Sequence, residues 1–184
     1  MSVKDSRTIS DYLDYEKVMY KANNMLNDEK TKVVGAYIII AANTGLRCGD
    51  VLSLTFKDLR NDLLTITEGK TKKTKTLAIN DKIKDMVKKI SKGEDGSPFI
   101  TQKGSVISIQ HLNVMLKKLL KEKNLNISSH SMRKTFGRRV YFNNNESEKA
   151  LMYLMELYNH SSLVMTKKYL GIRQEELNNI YLSL

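Results

Sequence analysis

Apolar residues recur at intervals of three and four positions through most of the chain, and this spacing predicts amphipathic helices. The first predicted helix follows Asp14, a favourable N-cap residue. A second spans about 30–43, and its centre at 37–42 is apolar on every side, as expected of a central buried helix. Gly45 is placed to end that helix in the left-handed conformation.

Serine and asparagine residues precede most of the later apolar stripes, and their side chains favour helix N-termini. Shorter helices are expected near Arg47 and around 150–155, and a last apolar stripe predicts a helix over 173–184. The predicted caps of the other helices are Asn80, Ser108, Ser128 or Ser129, and Ser161 or Ser162.

Alternating apolar and polar residues predict strands at Leu63–Thr67 and Leu77–Ile79, and 99–101 is a candidate for a third, short strand. The segment 68–75 between the first two is rich in lysine, which indicates a β-hairpin with a basic tip. The predicted fold class is therefore α+β and mostly α-helical, with one small antiparallel sheet. We expect a single domain over 11–184, preceded by a flexible tail or linker remnant at 1–10.

A formal net charge of +11 over 184 residues favours an anionic partner, most simply nucleic acid. No apolar run is long enough to span a membrane, and the amino terminus lacks the apolar core of a signal peptide. The single cysteine, Cys48, fits a reducing compartment, and the few His and Cys residues show no metal-ligand spacing. We expect a cytoplasmic DNA-binding protein with no metal or cofactor, no membrane partner and no small-molecule substrate.

Candidate chemistry is concentrated in the segment 128–169. His130 and Arg133 share one face of a predicted helix, because they are three residues apart. His160 follows, and Tyr169 lies nine residues beyond it. An enzyme that attacks a phosphodiester with a tyrosine needs this phenol together with a cation and bases, and the segment supplies all of them.

Five short motifs, taken in order, resemble those of the tyrosine recombinase (phage integrase) family. The resemblance covers residues 11–184 and implies a helical domain that cleaves and rejoins DNA. The motifs are Thr44-Gly45-Leu46-Arg47-Cys48-Gly49-Asp50, Gly69-Lys70-Thr71, His130-Ser131-Met132-Arg133, Asn159-His160-Ser161-Ser162 and Tyr169. At Asn159 the family has Gly, and Asn also tolerates the left-handed turn that this position needs.

The resemblance implies a catalytic role for Arg47, Lys70, His130, Arg133, His160 and Tyr169. The two guanidinium groups would clamp the nonbridging phosphate oxygens, and the imidazoles would accept the tyrosine proton and bond the phosphate. Tyr169 would form a 3′-phosphotyrosyl intermediate. Asp50, three residues after Arg47, is expected to pair with Arg47 or orient it. Lys70 is the expected acid for the leaving oxygen, although Lys72, Lys73 and Lys75 remain alternatives for that role.

The resemblance also implies double-stranded DNA with a specific core site as the partner, and a tetramer that assembles on DNA through exchange of the helix 173–184. A type IB topoisomerase would share the same chemistry, and a DNA-binding regulator would keep the fold without catalysis. The residues expected to contact DNA are Lys72, Lys73, Lys75, Lys134, Arg138, Lys167 and Lys168.

Overall fold

The computed structural model describes residues 10–172, 178–179 and 181–184. Over these residues the chain is mostly helical with one two-stranded antiparallel sheet, so the predicted fold class is confirmed. The elements are α1 (Tyr15–Met25), α2 (Lys32–Thr44), α3 (Cys48–Leu52), α4 (Phe56–Arg60), β1 (Leu63–Thr67), β2 (Thr74–Ala78), α5 (Asp81–Ile90), α6 (Ile109–Leu119), α7 (Ser129–Asn143), α8 (Glu148–Tyr158) and α9 (Leu163–Leu170).

The two predicted ends of the chain fall largely outside the described residues. The tail predicted at 1–10 is described only at Ser10, which is buried and whose hydroxyl lies 2.6 Å from that of Ser128. The helix predicted at 173–184 is described only at 178–179 and 181–184, where 178–179 and 181–182 are helical.

Helix α2 is the centre of the larger of two hydrophobic clusters. Its residues 37–42 are at most 1% exposed, and α1, α5 and α7 pack around it. Burying one large aliphatic side chain contributes about 1.5–3 kcal/mol, so this run of apolar residues is a major source of stability. Gly45 ends the helix at φ 65°, and a Cβ there would lie 2.4 Å from the Phe136 ring. The predicted left-handed stop is therefore confirmed.

The hairpin has the predicted first strand and a second strand that begins earlier than expected. Leu63 pairs with Ala78 and Thr67 pairs with Thr74, so the connection shortens to 68–73. Lys72 occupies the left-handed region at φ 58°, and this turn lets Thr74 and Lys75 continue the ladder. On the outward face, the hydroxyls of Thr65 and Thr76 lie 3.1 Å apart.

Two short segments differ from the predictions. Helix α4 was not predicted, and its start is fixed by a capping box between Thr55 and Asp58. The strand predicted at 99–101 is reduced to one bridge, between Ile100 and Val106, because the chain turns back immediately after it. Neither difference moves the residues of the candidate site.

A second, smaller hydrophobic cluster forms where α7, α8 and α9 meet. Gly137 on α7 allows the close approach, because a Cβ there would lie 2.5 Å from both Leu170 Cδ2 and the Tyr158 hydroxyl. The site lies at the boundary between the two clusters, and α7 contributes to both. The buried residues of the smaller cluster are Tyr141, Ala150, Leu151, Leu154, Tyr158, Leu170 and Ile172.

Candidate active site

A cleft of about 530 Å³ lies between the start of α3, the tip of the hairpin, the first turns of α7 and the α8–α9 region. Ile109, the first residue of α6, also lines the cleft. All six predicted catalytic side chains line this one cleft: Arg47, Lys70, His130, Arg133, His160 and Tyr169. The folded chain therefore brings these six predicted residues together.

Arg47, the N-cap residue of α3, is half-buried at one wall of the cleft. One of its guanidinium nitrogens lies 2.7 Å from Glu68 Oε1, and another donates to the Tyr158 carbonyl at 3.3 Å. The expected pairing with Asp50 is not found among the described residues. Asp50 Oδ1 instead accepts a hydrogen bond from the Gly69 amide at 2.9 Å, so this carboxylate holds the base of the hairpin tip.

Arg133 is buried on α7, at 6% exposure, and faces the same cleft. It donates to the Gly45 carbonyl, and its guanidinium carbon lies 4.2 Å from the centre of the Tyr158 ring. The Tyr158 hydroxyl donates to the Arg133 carbonyl at 2.7 Å. Among the described residues no carboxylate forms a salt bridge with Arg133. A buried cation without a counter-ion favours an anion in the cleft.

Glu68 is fully buried at the end of β1 and was not predicted as a site residue. Its Oε1 also lies 3.0 Å from Lys75 Nζ, while its Oε2 accepts from Thr71 Oγ1 at 2.5 Å and Asn159 Nδ2 at 3.0 Å. Burial alone raises its pKa, but hydrogen bonds from Thr71, Arg47 and Lys75 outweigh burial and lower the pKa to about 2. Its only sequence signal is a lone acid directly before a lysine-rich turn.

The hairpin lysines occupy different environments. Lys70 is exposed and lines the cleft, whereas Lys72 and Lys73 are exposed at the tip and do not line it. Lys75 is half-buried, and its ammonium group bonds Glu68 and the Leu157 carbonyl. Lys70 is thus the hairpin lysine best placed to reach a group bound in the cleft.

Tyr169 and His160 pack edge to face, with ring centres 5.2 Å apart. The Tyr169 hydroxyl is buried, and burial raises its pKa to about 12 against the opposing effect of Arg133 and Arg47. His160 Nδ1 lies 3.1 Å from Thr166 Oγ1. Burial, followed by the nearby Arg133 and Arg47, lowers the pKa of His160 to about 4. With a pKa of about 12, the Tyr169 phenol is protonated at neutral pH.

His130 lies on the first turn of α7 and lines the cleft. Partial burial, and then the positive charges of Arg133, Lys134 and Lys70, lower its pKa below the ordinary value. Both cleft histidines are thus neutral near pH 7 and able to accept a proton. Asn159, just before His160, has φ 55°, which is the left-handed conformation expected for this turn.

Comparison with known proteins identifies the family. The profile of the phage integrase family matches residues 12–176. This chain belongs to that family. It is 28% identical to the probable integrase/recombinase YoeC of Bacillus subtilis over 90% of this chain and 91% of YoeC.

Solved structures of integrases share the fold. The Tn1549 transposon integrase in complex with a circular intermediate DNA is 17% identical and has a TM-score of 0.66, over 97% of this chain and 68% of that one. A lambda integrase dimer bound to a core site is 15% identical with a TM-score of 0.65, over 94% of this chain and 63% of that one. The family cleaves and rejoins DNA, so the predicted enzyme class, a tyrosine recombinase, is confirmed.

The other basic residues expected to contact DNA in this integrase-family chain differ in their exposure. Lys168 is exposed near the cleft, and Lys134 Nζ lies 5.3 Å from the centre of the Tyr169 ring. Arg138 is instead buried, donates to the Leu170 carbonyl at 3.1 Å and stacks 3.7 Å from the Tyr12 ring centre. Its guanidinium belongs to the interior, because α9 packs over that side of α7. Lys167 is half-buried.

The described part of this integrase-family chain contains neither a metal-binding cluster nor a membrane-spanning helix. No group of three or more His, Cys, Asp or Glu residues among them is arranged to hold a metal ion. None of the helices described is both long and apolar enough to cross a lipid bilayer.

The depressed pKa of His160 predicts a pH dependence of stability. The unfolded chain binds a proton near pH 6.5, whereas the folded chain binds it only near pH 4, so stability falls as the pH is lowered through this window. The slope for one proton is at most ~1.4 kcal/mol per pH unit. Thermal melts of wild type and His160→Gln between pH 7 and 4.5 should show a shallower dependence in the variant.

The control for this prediction is His111→Gln, on the exposed side of α6. Its melting curves should follow those of wild type across the range. Equal pH slopes for His160→Gln and wild type would contradict the assignment. The ionisation of Glu68 does not interfere with this measurement. Its stabilising contribution is lost mainly between about pH 4.5 and 2, below the range of the melts.

Proposed function

We propose that this chain is the catalytic domain of a site-specific DNA recombinase that uses Tyr169 as its nucleophile. The observation that supports the proposal is the single cleft shared by the tyrosine, two arginines, two histidines and one lysine. The phosphate of a duplex bound there would meet two guanidinium groups that are fixed before it arrives. Preorganised charge of this kind typically supplies about 2.7–4 kcal/mol of barrier lowering per donor.

The reaction begins with attack of the Tyr169 oxygen on the scissile phosphorus. A neutral imidazole, His130 or His160, accepts the phenol proton, since the phenol pKa of about 12 leaves it protonated at neutral pH. The Arg47 and Arg133 guanidinium groups hold the nonbridging oxygens, on which negative charge accumulates in the transition state. The new bond joins the tyrosine oxygen to the 3′ phosphate.

The bond from phosphorus to the 5′ oxygen breaks in the same step. Lys70 protonates the departing oxygen and leaves a free 5′ hydroxyl. The phosphotyrosyl ester conserves the energy of the broken bond, so a 5′ hydroxyl from the same or another strand restores the diester by the reverse path. Neither ATP nor a metal ion is needed for this exchange.

The decisive test is formation of a covalent complex that survives SDS. Wild-type protein is incubated with a nicked suicide duplex carrying its core site, from which the short 5′ product diffuses away. An SDS-resistant adduct is expected. A catalytically silent regulator would bind this duplex without forming the adduct. Relaxation of supercoiled DNA that lacks any defined site would favour the type IB topoisomerase alternative.

The biological task we propose is integration or excision of a mobile element, or the resolution of replicon dimers. The similar structures are of a transposon integrase with circular intermediate DNA and a lambda integrase with a core site, which supports this range. A relative that is 27% identical over 77% of this chain is the tyrosine recombinase XerC of Caldanaerobacter subterraneus, and this chain covers 42% of its length. We place the reaction in the cytoplasm, with the DNA.

We also propose assembly of four protomers on two DNA sites, linked by exchange of the carboxyl-terminal segment. Several apolar side chains at that end are strongly exposed to solvent. Tyr181, Leu182 and Leu184 are 75%, 85% and 97% exposed. Such a segment gains stability by burying these side chains against a neighbouring copy.

The role of Lys70 as the acid predicts a selective rescue. Lys70→Ala should slow cleavage by about 10²-fold or more, because the 5′ oxygen then departs without its proton. A substrate with sulfur at the 5′ bridging position should restore the rate to near that of wild type, since a thiolate is a good leaving group. Single-turnover rates on both substrates provide the measurement.

The matched control for this prediction is Lys88→Ala, at an exposed position of α5 outside the cleft, which should cleave both substrates normally. Arg133→Ala should remain slow on both substrates, because sulfur does not replace the phosphate clamp. If the sulfur substrate failed to rescue Lys70→Ala, the proton donor would have to be another group.

A further inference from the structure

Glu68 connects three parts of the cleft through one buried carboxylate. Its two oxygens meet the Arg47 guanidinium from the start of α3, the Lys75 ammonium from β2 and the Asn159 amide from the turn before His160. Thr71, at the tip of the same hairpin, is the fourth partner. A charged side chain is rarely fully buried unless ion pairs and hydrogen bonds stabilise it, and these four contacts do so for Glu68.

The Arg47 guanidinium is held at two points, by Glu68 at 2.7 Å and by the Tyr158 carbonyl at 3.3 Å. A free arginine side chain samples many rotamers, and fixing it on a substrate costs conformational entropy. Contact with a buried carboxylate fixes the guanidinium before DNA binds. The same carboxylate, through Thr71, also fixes the hairpin beside Lys70.

We propose that Glu68 is a positioning residue for cleavage, and that it acts chiefly by orienting Arg47 toward the scissile phosphate. This inference rests on the proposed function of the cleft. Asp50, which was expected to have this part, bonds the Gly69 amide instead. Glu68 touches neither the phosphate nor the nucleophile in this proposal, and its effect reaches the reaction through Arg47.

Cleavage is expected to require the negative charge of Glu68 as well as the shape of its side chain. Arg47, Lys75 and Arg133 place three cations near the carboxylate, and this one anion offsets their mutual repulsion. A glutamine has one accepting oxygen, so its amide nitrogen would face a donor on one side or the other. Glu68→Gln therefore removes the offsetting charge, and where its amide nitrogen faces Arg47 and Lys75 it releases both cations.

The experiment is a double-mutant cycle on the single-turnover cleavage rate of a nicked suicide duplex. Glu68→Gln is expected to cleave about 10- to 100-fold more slowly than wild type, with DNA affinity changed less than threefold. Because Glu68 acts through Arg47, the double variant Glu68→Gln with Arg47→Lys should cleave no more slowly than Arg47→Lys alone. Losses that multiply in the double variant would overturn the inference, as would a normal rate for Glu68→Gln.

Asp62→Asn is the matched control, since it removes another carboxylate of the hairpin region. Asp62 pairs with Lys84 at 2.5 Å on the surface away from the cleft. Its variant should cleave at the wild-type rate. A wild-type protein that formed no adduct at all would overturn the proposed function, and this inference with it. A wild-type adduct with an unaffected Glu68→Gln variant would overturn the inference alone.

A second pair of variants covers the case in which Glu68→Gln folds poorly. Thr71→Val removes one hydrogen bond to the same carboxylate without changing the size of the side chain, and Thr71→Ser retains the hydroxyl. We expect a loss of several-fold in cleavage rate for the valine variant and recovery with serine. Equal rates for these two variants would overturn the inference.

Discussion

Tyr169→Phe is expected to bind DNA normally and to form no covalent complex with it. The change removes only the hydroxyl, which is the proposed nucleophile. Loss of an enzymatic nucleophile commonly costs more than ~10⁴-fold in rate, so the adduct should fall below detection. The measurement is denaturing electrophoresis of a labelled suicide duplex after incubation with each protein.

The fold should tolerate this change. The phenylalanine ring keeps the edge-to-face contacts with Tyr158, at 5.3 Å, and His160, at 5.2 Å. The buried Tyr169 hydroxyl has no hydrogen-bond partner of regular geometry in the described structure, so its loss leaves no carbonyl or carboxylate unsatisfied. The melting temperature should match that of wild type or exceed it.

The control is Tyr153→Phe, which changes a tyrosine of α8 that is 72% exposed and lies outside the cleft. This variant should form the adduct at the wild-type rate. An adduct formed by Tyr169→Phe would show that another residue attacks the phosphate, and peptide mapping of the adduct would identify it.

Arg133→Lys is expected to produce the second large loss, about 10²–10³-fold in the cleavage rate. Lysine keeps the charge but lacks the planar fork that binds two phosphate oxygens at once. It also cannot bond the Gly45 carbonyl and lie over the Tyr158 ring with the same geometry as the guanidinium. The rate is measured in single turnover with protein in excess over the suicide duplex.

Arg138→Lys provides a matched control on the same helix. Arg138 is also 6% exposed, but it bonds the Leu170 carbonyl and stacks on Tyr12 away from the cleft. This control should lower the melting temperature while leaving the cleavage rate of the folded protein within a few-fold of wild type. Comparable rate losses in the two variants would show that burial of the guanidinium, rather than phosphate contact, accounts for the effect at position 133.

The helices could be predicted because apolar periodicity and capping residues are local signals. Asp14, Asn80 and Ser108 cap the helices for which they were proposed. The start of β2 was harder to predict. Its first residues, Thr74 and Lys75, are polar, and they form a strand only because β1 pairs with them. A strand of this type depends on its partner more than on its own composition.

Motif order predicted which candidate catalytic side chains line one cleft, because the proposed chemistry dictates which residue types must meet. The supporting contacts could not be predicted in the same way. Asp50 was expected beside Arg47 from spacing along a helix, yet Arg47 is the N-cap and its side chain reaches Glu68 across the hairpin. Arg138 was expected to contact DNA, yet it is buried and donates to the Leu170 carbonyl of α9. Contacts between distant segments follow from packing, which a single sequence does not reveal.

The apolar interior is divided into two clusters, and the predicted site residues are carried by both. Arg47 and Lys70 are attached to the larger cluster, while Tyr169 is carried by α9 on the smaller one. A small core costs less free energy to open than the whole domain. Under the proposed function, local opening of the smaller cluster would withdraw Tyr169 from the cleft while the larger cluster, with Arg47 and Lys70, stays folded.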